Sequence, residues 1–272
     1  MVNKMEQLHI KTRDGADISL LYFASDKKNA PLIFDIHGDG YVSGKAKDEV
    51  AMCHSLVEKC GVNVASVDYR YAPKVKYPQA TDDCKDALRY LIDNRDLDFD
   101  RDKIFLLGHS AGGNAVVAVS AEMGNLIAGQ ILDYPWLDVR LQRRKPYIMY
   151  SITSSELNRL SRLYFRDEDR EKHDASAVLM TVEEAKKLPR TFITTCGRDT
   201  LKRDGEAFLK ILTEAGIPVR HKEYTDAIHG FVEICYSGRI KSQFWLGSYL
   251  IAKQEAMAKD FVEEINKFIV DV

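Results

Sequence analysis

Apolar residues in this chain fall in short runs separated by stretches of helical periodicity. Pro31 to Ile36, Val62 to Val67 and Lys103 to Leu107 are such runs, and Lys47 to Cys60, Asp82 to Asp93 and the small-residue stretch Gly112 to Glu122 lie between or after them. In the first helical stretch Val50, Cys53, Val57 and Cys60 recur at i, i+3, i+7 and i+10, and Gly61 follows as a stop. Runs that alternate in this way predict a parallel sheet wrapped by helices, the α/β class.

The second half repeats the rhythm. Ile127 to Tyr134, Arg190 to Cys196 and Pro218 to Tyr224 read as strands, and Gly205 to Ala215 and Glu255 to Ile269 as helices. Between Asp138 and Thr181 the rhythm breaks into a charged stretch that includes Arg140 to Lys145 and Arg166 to Lys172. That stretch reads as an inserted helical cap, and a solvated surface helix bundle fits it as well. Within it Thr153-Ser154-Ser155-Glu156 resembles a capping box, with Leu157, Leu160, Tyr164 and Phe165 as the apolar face of one helix. The expected organisation is one domain, with core segments 1–137 and 182–272 interrupted by the cap at 138–181. Ser237 to Ile251 reads as irregular, and no internal repeat is present.

Composition narrows the partners. The chain has 272 residues, 45% of them hydrophobic, which is enough for a full core. A formal charge of −2 points away from nucleic acid and anionic membranes and toward a small molecule. Five scattered cysteines without CxxC spacing suggest free thiols in a reducing compartment. The first residues lack a signal-peptide core and no run reaches membrane-spanning length, so a cytoplasmic location without membrane insertion is expected. Nothing in the composition excludes a homodimer.

Candidate chemistry centres on Gly108-His109-Ser110-Ala111-Gly112-Gly113, directly after the run ending at Leu107. A Gly-x-Ser-x-Gly pattern between a strand and a helix is a nucleophile elbow, whose tight turn needs small flanking residues. A serine hydroxyl becomes a good nucleophile only when a base takes its proton and an acid orients that base. Such partners belong on loops at the carboxyl ends of later strands, where Asp199 and His229 stand in the order Ser, Asp, His. Asp204 competes with Asp199, but lies deeper in the following helix, where an acid simply favours the helix dipole. Asp226 is close to His229 in the chain, though a short loop could fold it back.

His9, His54, His173 and His221 lack the required loop placement and read as surface or packing residues. His109 adjoins the serine, but its side chain should point away from it. For the charge on a tetrahedral intermediate, the turn His37-Gly38-Asp39-Gly40-Tyr41 and the NH of Ala111 offer backbone donors.

With these residues assembled, the chain resembles the hormone-sensitive-lipase-like branch of α/β-hydrolases, the bacterial carboxylesterases with an HGGG motif and a GxSAGG elbow. The resemblance runs from about Leu32 to Phe231. It includes Asp68-Tyr69-Arg70-Tyr71-Ala72-Pro73, Tyr77-Pro78 and Ala80, and Tyr134-Pro135-Trp136-Leu137-Asp138 at the entry to the cap. It implies an α/β-hydrolase fold with Ser110 as nucleophile, His229 as base and Asp199 as its orienter. The oxyanion hole would be the NH groups of Gly38, Asp39 and Ala111.

Three positions depart from the family pattern. Asp39 replaces a glycine of HGGG, His109 stands where an acidic residue is common, and Asp199 to Asp204 lacks the proline and fifth-position aspartate of DPLxD. An outward-pointing Asp39 is expected, because a desolvated charge beside a developing anion is costly.

The expected activity is hydrolysis of short-chain acyl esters through an acyl-enzyme, without metal or cofactor. Tyr41, Trp136, Tyr164 and Phe231 are candidates for lining the substrate pocket. An amide or formamide hydrolase with the same triad is one alternative, and a non-catalytic ligand-binding protein on this fold is another.

Overall fold

The computed structural model describes residues 5–144, 152–242 and 247–271. Its framework is one sheet of eight strands in the order β1-β2-β4-β3-β5-β6-β7-β8. The strands are β1 Met5–Lys11, β2 Asp17–Phe23, β3 Leu32–Ile36, β4 Asn63–Asp68, β5 Ile104–His109, β6 Gly129–Asp133, β7 Thr191–Arg198 and β8 Val219–Ile228. From β4 to β8 every pairing is parallel, while β1 and β2 form an antiparallel hairpin joined antiparallel to β4. The helices are α1 Val50–Cys60, α2 Gln79–Asp93, α3 Ala111–Met123, α4 Ser154–Tyr164, α5 Val182–Ala185, α6 Lys202–Glu214, α7 Phe231–Tyr236 and α8 Gly247–Val270.

The apolar runs become central strands because both faces of the sheet are covered. Leu32, Phe34 and Ile36 of β3 and Ile104 and Leu106 of β5 pack into the layer that holds α2, α3 and α6. Ile33 of β3, Phe105 and Leu107 of β5 and Ile131 of β6 pack into the opposite layer with α1 and α8. Each large side chain so buried contributes about 1.5–3 kcal/mol. Side chains alternate along a strand, so the same parity carries Asp35, His109, Asp133 and Thr194 onto the α1/α8 side. These four form a polar row across β3, β5, β6 and β7, and all are fully buried.

Several boundaries differ from those the sequence suggests. The strand expected from Ile127 to Tyr134 spans only Gly129–Asp133, because Gly124 to Leu126 form a 3-10 turn and Tyr134 turns away with φ 34°. The strand expected to end at Tyr224 continues to Ile228, bringing His229 to its immediate end. The helix expected from Gly205 begins at Lys202. Part of the segment read as irregular is the start of α8, and 243–246 of that segment lie outside the described residues.

Within the segment expected as a cap, 145–151 lie outside the described residues. Its one regular helix of more than a turn is α4 among the described residues. There Thr153 Oγ1 accepts the Glu156 backbone NH at 3.2 Å, while the Glu156 carboxylate pairs with Arg159. Leu157, Leu160 and Tyr164 face inward and Phe165 at its end is also buried.

Candidate active site

The turn from β5 into α3 is tight because small residues permit it. A Cβ on Gly112 would stand 1.9 Å from the Ile36 carbonyl oxygen, so only glycine allows α3 to press against the end of β3. Ser110 sits at the apex with φ 52° and ψ −113°, a conformation rare outside glycine. Its backbone holds that geometry through hydrogen bonds. The Ser110 NH donates to Asp133 O at 2.9 Å, and Ser110 O accepts the NH of Trp136 at 2.9 Å.

Two later strand ends converge on the serine. Asp199 follows β7, where the register against β8 shifts between Cys196 and Arg198. His229 follows β8 directly. Its Nδ1 lies 2.7 Å from Asp199 Oδ2, and its Nε2 lies 3.0 Å from Ser110 Oγ. Asp199 is fully buried, and its other oxygen accepts the Leu201 NH at 3.0 Å. Burial lowers the His229 pKa, but the Asp199 carboxylate outweighs it by charge and hydrogen bond, helped by Glu233 and Asp133. The net effect lifts His229 above the ordinary imidazole value.

The competing carboxylates have other partners. Asp204 accepts the backbone NH groups of Leu137 and Asp138 at 3.2 and 3.0 Å and pairs with Arg144, so it fastens the chain leaving β6. Burial raises its pKa to about 7, against the pull of Arg144. Asp226 pairs with Arg198 and Lys253. His109 points to the other side of the sheet, with Nδ1 2.8 Å from Asp133 Oδ2.

The turn after β3 forms the opposite wall. Gly38 presses on the elbow: a Cβ there would lie 3.0 Å from His109 O and 3.4 Å from Ser110 Cβ. Asp39 to Tyr41 form a 3-10 turn that starts beside Ser110, and Ala111 opens α3. The first NH groups of a helix lack intrahelical acceptors, which aims donors at the space above Ser110. Asp39, Tyr41, Ser110 and Tyr134 all have positive φ, and Asn29 is the only such non-glycine residue outside this region among the described residues. Backbone strain of this kind gathers where geometry is over-determined.

Above Ser110 and His229 opens a cavity of about 350 Å³. Trp136, Ile152, Leu157, Leu160 and Ile234 give it apolar walls, and Asp39, Glu233, Glu156, Arg159 and Arg239 charge its rim. Asp39 is exposed but lines the cavity with Ser110 and His229, so it is not turned away from the site as an outward carboxylate would be. Partial burial and Glu233 raise its pKa, and Arg239 and His229 lower it by less.

Of the aromatic pocket candidates, Trp136 lines the cavity and three do not. Tyr41 and Tyr164 stack on each other at 4.4 Å and are fully buried, with Tyr41 Oη donating to Asn114. Phe231 is buried against Tyr134 and Tyr224. Helical and strand parity cannot tell a pocket wall from the packing beneath it. The lining residues Leu157 and Leu160 carried a legible signal, the apolar face of α4, whereas Glu233, Ile234 and Arg239 carried none. Among the described residues no cluster of three or more His, Cys, Asp or Glu is arranged to hold a metal ion.

Comparison with known proteins places these observations in a family. A family described by the α/β hydrolase fold matches residues 33–233. An arylesterase of Saccharolobus solfataricus is 27% identical over 246 residues, 85% of this chain and 78% of that protein. Carboxylesterase NlhH of Mycobacterium tuberculosis is 31% identical over 221 residues, 76% of this chain and 68% of its own length. The solved structure of a hyperthermophilic esterase from Pyrobaculum calidifontis superposes with a TM-score of 0.80 at 27% identity, covering 95% of this chain and 85% of that one.

Proposed function

This chain belongs to the α/β-hydrolase family, in its hormone-sensitive-lipase-like branch, and from that premise we propose a serine carboxylesterase that cleaves short-chain acyl esters of small molecules. The observation that carries the reading is the continuous line from Asp199 through His229 to Ser110, with links of 2.7 and 3.0 Å.

Ser110 Oγ attacks the ester carbonyl carbon while His229 Nε2 takes its proton. Asp199 holds the imidazole by Nδ1 and stabilises the imidazolium that forms. The NH groups of Gly38, Asp39 and Ala111 receive the oxyanion. Collapse of the intermediate breaks the carbon–oxygen bond to the alcohol, which leaves with the proton from His229. Water, deprotonated by the same imidazole, then frees the acid and returns Ser110.

The cavity of about 350 Å³ supports the short-chain preference, since it lies at the small end of the range for ligand sites. The segment containing α4 acts as a cap, supplying Ile152, Leu157 and Leu160 to the wall over the serine. The five free cysteines fit a cytoplasmic location. No helix among the described residues is long and apolar enough to cross a membrane.

The test is turnover of a p-nitrophenyl acyl series by the wild type and Ser110→Ala. Rapid hydrolysis of acetyl and butyryl esters, lost in the variant, is the expected result. Equal activity of the two proteins would refute the mechanism, and a preference for long acyl chains would refute the size argument.

A further inference from the structure

Behind the triad stands a second group of polar side chains to which the ester chemistry gives no task. Tyr134 is its centre. It follows the last residue of β6 with φ 34°, a strained position that persists only where surrounding contacts fix it. Its ring meets the His229 imidazole edge-on, with centroids 5.2 Å apart and an interplanar angle of 66°. The same ring meets Phe231, the first residue of α7, at 5.7 Å. Its hydroxyl donates to Glu233 Oε2 and lies 3.4 Å from His109 Nδ1.

One side chain therefore touches the imidazole, the helix that starts two residues beyond it, and the buried His109–Asp133 pair. His229 sits between the end of β8 and Gly230, which has φ 74°, so its immediate backbone is a turn rather than a regular element. A side chain at that junction needs support from outside the turn to keep one rotamer.

We propose that Tyr134, with Glu233 held by its hydroxyl, is a positioning residue that fixes the pose of His229 toward Ser110 and sets the charge around it. The proposal rests on Ser110, Asp199 and His229 acting as proposed above. The groups facing His229 are Asp199 after β7, Glu233 on α7, Asp133 and Tyr134 at the end of β6, Ser110 at the elbow and Asp39 across the cavity. Glu233 and Asp133 add negative charge beside the imidazolium that forms in each transfer, and Glu233 alone of these two lines the cavity.

The experiment follows hydrolysis of p-nitrophenyl acetate against pH by the wild type, Tyr134→Phe and Glu233→Gln, with melting curves of all three. Tyr134→Phe keeps the ring and removes only the hydroxyl, and about a tenfold loss of kcat with KM within about twofold is expected. Removing a negative charge near an imidazole lowers its pKa, so Glu233→Gln moves the acid limb of kcat/KM to lower pH. Tyr134→Phe moves it in the same direction by less, as the released carboxylate swings toward solvent.

Two folded variants with wild-type kcat and a wild-type acid limb would overturn the proposal, whatever their melting temperatures. Were Tyr134→Phe not to fold, the pH shift in Glu233→Gln alone would decide it, and an unmoved limb would overturn it. A wild type that hydrolyses no ester overturns this proposal and the proposed function together; an active wild type with insensitive variants overturns this proposal only.

Discussion

Two histidine–aspartate pairs lie at the carboxyl edge of the same sheet. In one, His229 Nδ1 is 2.7 Å from Asp199; in the other, His109 Nδ1 is 2.8 Å from Asp133. The pairs differ at the second ring nitrogen. His229 Nε2 meets the Ser110 hydroxyl at 3.0 Å below an open cavity, while His109 Nε2 is buried without a hydrogen-bond partner, 3.8 Å from Asp35 Oδ1. Strand parity explains the split. His109 precedes the elbow and shares the α1/α8 face with Asp133, whereas the turn at Ser110 carries the serine to the opposite end of that alternation.

Their electrostatics diverge accordingly. Burial lowers both imidazoles, but His109 is ringed by Glu233, Asp133 and Glu49, which raise it to about 10 and keep it an imidazolium at neutral pH. A ring that stays protonated at neutral pH cannot accept the serine proton there, so it serves structure. His229 is raised above the ordinary value with a hydroxyl at its acceptor nitrogen, and can cycle.

The largest effect expected from this contrast is on catalysis. Asp199→Asn should lower kcat by about 10⁴-fold, as loss of the orienting acid does in such triads. Asp133→Asn should cost less than about tenfold in kcat per folded molecule. Comparable losses in the two variants, measured by steady-state kinetics on titrated active sites, would erase the distinction.

The next effect is on stability, and it runs the other way. Removing one partner of a buried ion pair costs about 3–5 kcal/mol, so Asp133→Asn and His109→Asn should unfold at markedly lower denaturant concentration than Asp199→Asn. The sign of the pH dependence follows from the raised imidazole. The His109 contribution is complete below about pH 6.5, the unfolded value, and is lost as pH rises through about 10. Denaturant curves of the wild type should weaken over that window, and those of His109→Asn should be flatter. Parallel curves would place the charge elsewhere.

A smaller effect concerns the acid limb of kcat/KM. His229 must be neutral to take the serine proton, so activity rises with pH through its raised pKa, and the limb should lie above the ordinary imidazole value of about 6.5. A limb below that value would show that Asp199 and Glu233 do not dominate over burial.

The smallest effect expected is at Asp39, whose φ of 65° favours glycine. Asp39→Gly should stabilise the fold by up to about 1 kcal/mol by relieving the left-handed backbone, and should raise kcat/KM by less than about tenfold as a carboxylate leaves the rim of the site. A lowered kcat/KM would mean that Asp39 contacts substrate.

Much of the fold was legible because β3, β4 and β5 are buried on both faces and read as unbroken apolar runs. The Asp199–His229–Ser110 line of contacts was legible because elbow chemistry restricts the residues around Ser110 and chain order restricts its partners. The β1–β2 hairpin was less so, although Asp14-Gly15 sits at its turn and Gly15 has φ 83°. β1 is mostly exposed and carries charge, so the apolar-run signal fails there, whereas β2 is buried at Ile18 and from Leu20 to Phe23. The pocket wall was misread at Tyr41, Tyr164 and Phe231, since large aromatic residues signal burial without saying what lies above them. The His109–Asp133 pair was not read from the sequence, because the ends of both strands have to be placed to within one residue before strand parity can match the two side chains.

The central claim is that Ser110 is the nucleophile driven by the His229–Asp199 pair and that His109–Asp133 takes no part in the proton transfer. Intact-protein mass spectrometry after reaction with a fluorophosphonate, with the adduct mapped by peptide digestion, tests it most directly. One adduct on Ser110 is expected, formed at a similar rate in folded Asp133→Asn and lost in His229→Asn. A Ser110 that stays unmodified in the folded wild type, or an Asp133→Asn as slow as His229→Asn, would contradict the account.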